Sequence, residues 1–66
     1  MGKYRFVFLA NPDDERPLAA FELFAASPEA AHRLAAECLD KSPASLVEVW
    51  SEGRCVLHLS KVHAAA

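Results

Sequence analysis

Residues 3–10 alternate between two sides of an extended chain. Tyr4, Phe6, Phe8 and Ala10 fall on one side, and Lys3, Arg5, Val7 and Leu9 on the other. Period-two alternation with aromatic and β-branched residues predicts a strand. Asn11-Pro12-Asp13-Asp14-Glu15-Arg16-Pro17 follows as a loop, because its prolines lack a ladder donor and its Asn and Asp side chains bond local backbone. Alternation resumes over residues 18–26, with Ala19, Phe21, Leu23 and Ala25 on one side and Glu22 and Phe24 on the other. A second strand is expected there, although its alanines are also compatible with a helix.

The period then changes. Ser27 is a good N-cap, Pro28 suits the first helical position, and Glu29 complements the positive end of the helix dipole. Ala30, Ala31, Leu34, Ala35, Cys38 and Leu39 recur at helical spacing and mark the stripe to be buried. Glu29–Arg33, Arg33–Glu37 and Glu37–Lys41 are opposite charges one turn apart on the wet side. Ser42-Pro43 ends the helix, since a residue before proline avoids the α region. Leu46-Val47-Glu48-Val49-Trp50 returns to strand composition. Ser51-Glu52-Gly53-Arg54 is a tight turn whose glycine admits a positive φ, and residues 55–60 form the last strand. The order is ββαββ. The expected fold is α+β: a four-stranded, mainly antiparallel sheet with one helix packed on one face.

Tyr4-Arg5-Phe6, the helix start Ser27-Pro28-Glu29-Ala30-Ala31 and the hairpin Val47-Glu48-Val49-Trp50 with Gly53-Arg54 together resemble small bacterial proteins of unknown function. In that group a β-hairpin, an amphipathic helix and a second hairpin recur. The resemblance runs over nearly the whole chain and departs from the usual form in the long, proline-bracketed first loop. It implies the fold and no active site.

Size limits what this fold can do. The chain has 66 residues, 53% of them hydrophobic, but 13 are alanine and none is isoleucine. Met1-Gly2 and Ala64-Ala65-Ala66 read as residues left by cloning, so residues 3–63 are expected to form a single small α+β domain. A core in a chain below about 70–80 residues rarely supplies more than ~3–5 kcal/mol, which favours help from a partner. No apolar run has the ~20 residues of a membrane span, and no secretory h-region follows the basic start, so a cytoplasmic location is expected. Seven basic residues are scattered among nine acidic ones, for a net charge of −2. That balance disfavours binding driven by counterion release from nucleic acid.

Candidate chemistry is sparse. Cys55 and His58 have a spacing that suits zinc in a turn, but within a strand they point to opposite faces. His32 and Cys38, six apart on a helix, do not converge. Cys38 on the buried stripe and Cys55 at the start of the last strand are both expected in the core, as reduced thiols. Asp13, Asp14 and Glu15 lack the alternating ligands and glycine of a calcium loop and read as a solvated turn. The serines have cap, turn or strand explanations, and no glycine-rich phosphate loop is present. No cofactor and no enzymatic activity are expected.

The informative feature is the sheet face opposite the helix. If Phe6, Phe8, Phe21, Leu23, Val47, Val49, Leu57 and Leu59 face the helix, the open face receives Val7, Leu9, Phe24, Leu46, Trp50 and Val56, beside Arg5, Glu22, Glu48 and His58. Open faces of antiparallel sheets are usually polar, and a contiguous apolar patch marks an interaction site. The leading expectation is an interaction or regulatory protein that homodimerises through this face or a sheet edge, with Trp50, Phe24, Val56, Val7, Leu9 and His58 at the interface. An unidentified protein partner fits the same surface. The alternative is a nucleic-acid-associated module, an antitoxin or repressor component. Lys3, Arg5, Arg54 and Lys61 would then contact phosphates while Trp50 or Tyr4 stacks on a base. A third, weaker reading is a subunit that binds a small ligand or a metal only once dimerised.

Overall fold

The computed structural model describes residues 2–61. His63 and the closing alanines, which bear on the expected end of the domain, lie outside the described residues, as does Met1. The elements are β1 (Gly2–Leu9), β2 (Ala19–Ala25), α1 (Pro28–Lys41), β3 (Leu46–Ser51) and β4 (Arg54–Ser60). This is the ββαββ order that the periodicity predicts. Gly2, set apart above as a cloning residue, is the first residue of β1 and lies opposite Ala25.

Local chemistry accounts for the element ends. Pro12 sits at the second position of a turn closed by the Asp14 amide donating to the Asn11 carbonyl at 3.1 Å. The Asp14 carboxylate accepts from the Asn11 amide at 3.2 Å. Ser27 caps α1, its Oγ accepting from the Ala30 amide at 3.1 Å, with Pro28 at the first helical position. At the other end the Ser42 amide donates to the Leu39 carbonyl, and Ser42 leaves the helix in extended conformation. Glu52 and Gly53 connect β3 to β4 with φ of 53° and 78°. Two successive positive φ values are the signature of the hairpin turn whose twist matches its strands. The positive φ at Glu52, a residue with a Cβ, is not foreshadowed by its type.

All strand pairs are antiparallel, and the order across the sheet is β2-β1-β3-β4. The two hairpins therefore join through their first strands, leaving β2 and β4 at the edges. The registers place Phe6 between Phe21 and Val49, and Phe8 between Ala19 and Val47. Directly opposed residues share a face, so Phe21, Leu23, Leu57 and Leu59 all lie on the helix side, as expected. The core is Tyr4, Phe6, Phe8, Val47 and Val49 under Ala31, Ala35 and Leu39, closed by Ala25 and Ala44. It is built on the two central strands. Alanines on the helix stripe let α1 lie close to them, while Leu34, expected on that stripe, stays partly exposed. The one ion pair within 4 Å among the described residues is Lys3–Glu22 at 3.7 Å, so the charges one turn apart on α1 do not close into pairs.

Candidate interaction surface

The register brings the open face together much as the alternation predicts. Arg5 lies between Glu22 and Trp50, Val7 between Ala20 and Glu48, and Glu48 opposite His58. Arg5, Val7, Ala20, Glu22, Glu48 and Trp50, with Lys3, line an open groove of about 570 Å³ bounded by Pro17 and Glu52, and His58 lies outside it. Trp50 is fixed there by its indole N–H, which donates to Glu48 Oε1 at 3.2 Å. The groove is less apolar than expected. Leu9 and its opposite residue Leu46 are 7% and 2% exposed, so neither offers surface to a partner.

Val56 departs from the expected face. Val49 pairs with Leu57 and Trp50 with Cys55, so Val56 is an extra residue on β4 opposite no partner, a β-bulge. The bulge turns Val56 to a small groove on the helix side with Tyr4, Pro28, His32 and Leu57. It also corrects the expectation for Cys55, which is exposed rather than buried in the core, while Cys38 is half-buried. The two thiols therefore share no packing environment.

The positions of the basic residues are equally specific. Lys3 and Arg5 line the groove beside Trp50, but three carboxylates, Glu22, Glu48 and Glu52, line it too. Arg54 lies at the start of β4, after the turn. Lys61 is engaged elsewhere: its Nζ donates to the Ser42 carbonyl and its amide to the Ser45 carbonyl, fastening the end of β4 to the segment after α1. Tyr4 is buried in the core and has no free face for a base. Among the described residues no group of three or more His, Cys, Asp or Glu is placed to hold a metal. Within the same residues no helix is long and apolar enough to cross a membrane.

Most of the exposed large apolar side chains among the described residues lie along the β2 edge, on both of its faces. Phe24 is 67% exposed, Leu18 52%, Phe21 39% and Leu23 36%, all on or beside β2. Phe21 and Leu23 face the helix side, yet α1 covers the central strands and leaves them open. Leu18 and Phe21 also line a groove with Phe8, Cys38 and Pro43 along the flank of α1. Phe21 stacks on Phe6 at 5.8 Å and on Phe8 at 5.5 Å between ring centroids. Of the six residues expected at an interface, Phe24 alone belongs to this strip. Leu18, Phe21 and Leu23 escape the sequence reading because their exposure follows from strand order. The available signal was that 21–24, Phe-Glu-Leu-Phe, carries bulky apolar residues on both faces.

Comparison with protein-family models, with characterised proteins and with solved structures finds no match to this chain, so the resemblance to small bacterial proteins rests on its sequence pattern alone.

Proposed function

We propose that this chain is a non-enzymatic interaction module that works as a homodimer, associating along the β2 side of its sheet. The carrying observation is the apolar strip of Leu18, Phe21, Leu23 and Phe24 on an edge strand whose only ionisable residue is Glu22. Monomeric proteins keep such edges short, charged or covered, because unpaired N–H and C=O groups recruit another strand. A domain of this size also gains from burying surface that its own helix does not reach. The nucleic-acid reading has less support. Its cations are dispersed, Lys61 is engaged with Ser42, and the groove holding Lys3 and Arg5 carries more acid than base.

Light scattering across a micromolar to millimolar series tests the proposal, with the mass expected to rise from 7.2 kDa towards twice that value. A constant monomer mass over the whole series would overturn it. Trp50→Glu separates the two surfaces. The dimer is expected to survive it, whereas loss of the dimer in a folded variant would move the interface to the open face.

A further inference from the structure

Resting on that self-association, we propose that two copies join β2 edge to β2 edge, antiparallel, about a two-fold axis through Phe21. The product is one continuous eight-stranded sheet with both helices on the same side. β2 pairs with β1 on one side alone, so its other row of main-chain donors and acceptors is free for another strand. A two-fold axis perpendicular to the sheet preserves the two faces, and directly opposed residues must share a face. The axis therefore passes through a residue, and the central choices are Phe21, Glu22 and Leu23.

Charge and shape select among these three. An axis at Glu22 sets two carboxylates directly opposite each other, which is destabilising. An axis at Leu23 runs Ala19 and Ala20 against residues 27 and 26 of the second copy, where the chain leaves the sheet to enter α1. An axis at Phe21 sets Ala19 opposite Leu23 on the helix side and Ala20 opposite Glu22 on the open side, small against large in both cases. Leu18, still tied to β1 through its amide on the Phe8 carbonyl at 2.7 Å, comes level with Phe24 of the second copy. The two Phe21 rings meet at the axis and extend the stack that each already makes with Phe6 and Phe8. Aromatic pairs of this kind add about 0.5–1.5 kcal/mol beyond the area they bury.

The occupant is a second copy for two further reasons. In this register Glu22, the one charge on the strip, lies opposite Ala20 of the second copy and keeps Lys3 beside it, so no like charges are set directly opposite each other. The exposed apolar surface of the strip is on the order of 400 Å² per copy, taking roughly 200 Å² for a full aromatic side chain. The apolar strips of two copies together supply about 800 Å², below the ~1,200 Å² of stable specific interfaces and in the range of weak, transient ones, so the dimer is expected to be weak and concentration-dependent. Assembly also closes at two. The outer strands of the joined sheet are both β4, whose bulge and polar residues Arg54, His58 and Ser60 resist further pairing.

Amide hydrogen exchange of the unmodified protein, dilute against concentrated, tests the edge. Alternate amides within 19–25 are expected to slow by at least about tenfold on concentration, because they exchange only from the free monomer, while those of 54–60 keep their rates. Register is read by mixing single-cysteine proteins in a Cys38→Ala, Cys55→Ser background under mild oxidation. Ala19→Cys is expected to form a disulfide with Leu23→Cys and not with Ala25→Cys. A concentration-dependent dimer without added protection in β2 would overturn the edge pairing and leave the self-association standing. A 19–25 disulfide in place of 19–23 would overturn the Phe21 axis. A monomer at every concentration would overturn both this pairing and the self-association beneath it.

Discussion

The two edges of this sheet carry similar numbers of bulky apolar side chains but differ in regularity and in where their polar residues fall. β2 follows a long loop, Ala10 to Leu18, and runs without a break beside β1. It presents Phe21, Leu23 and Phe24 with one charge among them. β4 is tied to β3 by the two-residue turn Glu52-Gly53 and is interrupted at once by the bulge at Val56. It presents Arg54, His58 and Ser60. By its regularity and its single charge β2 is the edge suited to pairing in the proposed dimer, and by its bulge and polar groups β4 is the one guarded against it. Val56 is 54% exposed, more than Phe21, yet lies where the ladder is broken and another strand has nothing regular to pair with.

The largest expected effect comes from charging the receptive edge. Phe21→Asp places two carboxylates at the proposed axis and removes the stack on Phe6 and Phe8. Dimerisation is expected to weaken by at least about 100-fold, the equivalent of ~2.7 kcal/mol. Monomer stability should fall by about 1–3 kcal/mol, since Phe21 is only partly buried. Val56→Asp on the other edge should leave the dimerisation constant within about twofold, as a surface change away from the contact. Sedimentation equilibrium on both variants decides the matter: equal losses would mean that the edges do not differ.

A smaller effect is expected from making the refractory edge regular. Deleting Val56 removes the extra residue, so that Cys55 and Leu57 continue the alternation opposite Trp50 and Val49. The repaired β4 then offers a second pairing edge. A protein with two receptive edges forms open chains rather than closed pairs. Oligomers beyond the dimer, growing with concentration, should appear in sedimentation velocity; a distribution that stops at the dimer would show that Arg54 and His58 protect the edge without help from the bulge.

What was legible in the sequence divides along physical lines. Element types follow from local signals. The period-two pattern of residues 3–10, the Ser27-Pro28-Glu29 helix start and the Ser42-Pro43 stop all act within a few residues, and each appears where the pattern predicts it. The face of each regular strand is legible too, because alternation fixes it once one strand is placed. Strand order is not local. Nothing in residues 18–26 says whether β1 or β2 lies against the second hairpin, and that choice alone decides whether Phe21 and Leu23 are core or surface. The bulge was likewise hidden, since Cys55-Val56-Leu57 reads as unbroken alternation. One inserted residue there moved Val56 off the open face and left Cys55 exposed. Of the residues expected at an interface, Leu9 is buried, Val56 is turned to the helix side, and Phe24 on β2 is the most exposed.

The smallest expected effect separates the stability of the refractory side from association at the other. Glu52 adopts a φ of 53°, in the left-handed region that a side chain with a Cβ occupies at a cost. Asparagine tolerates that conformation, and Asn-Gly is a preferred pair for this turn. Glu52→Asn is thus expected to stabilise the monomer by about 0.5–1 kcal/mol, and for a domain this small to raise Tm by roughly 2–8 °C. It also removes one of the carboxylates around the open groove, easing their mutual repulsion. Because the turn joins β3 to β4 and lies across the sheet from β2, the dimerisation constant should stay within about twofold. Denaturant unfolding at a concentration where the protein is monomeric, with sedimentation of the same sample when concentrated, measures the two quantities independently. Unchanged or lower stability would mean that the Glu52 side chain stabilises the turn more than its backbone conformation costs. A tighter or weaker dimer at equal monomer stability would mean that the two edges communicate through the sheet.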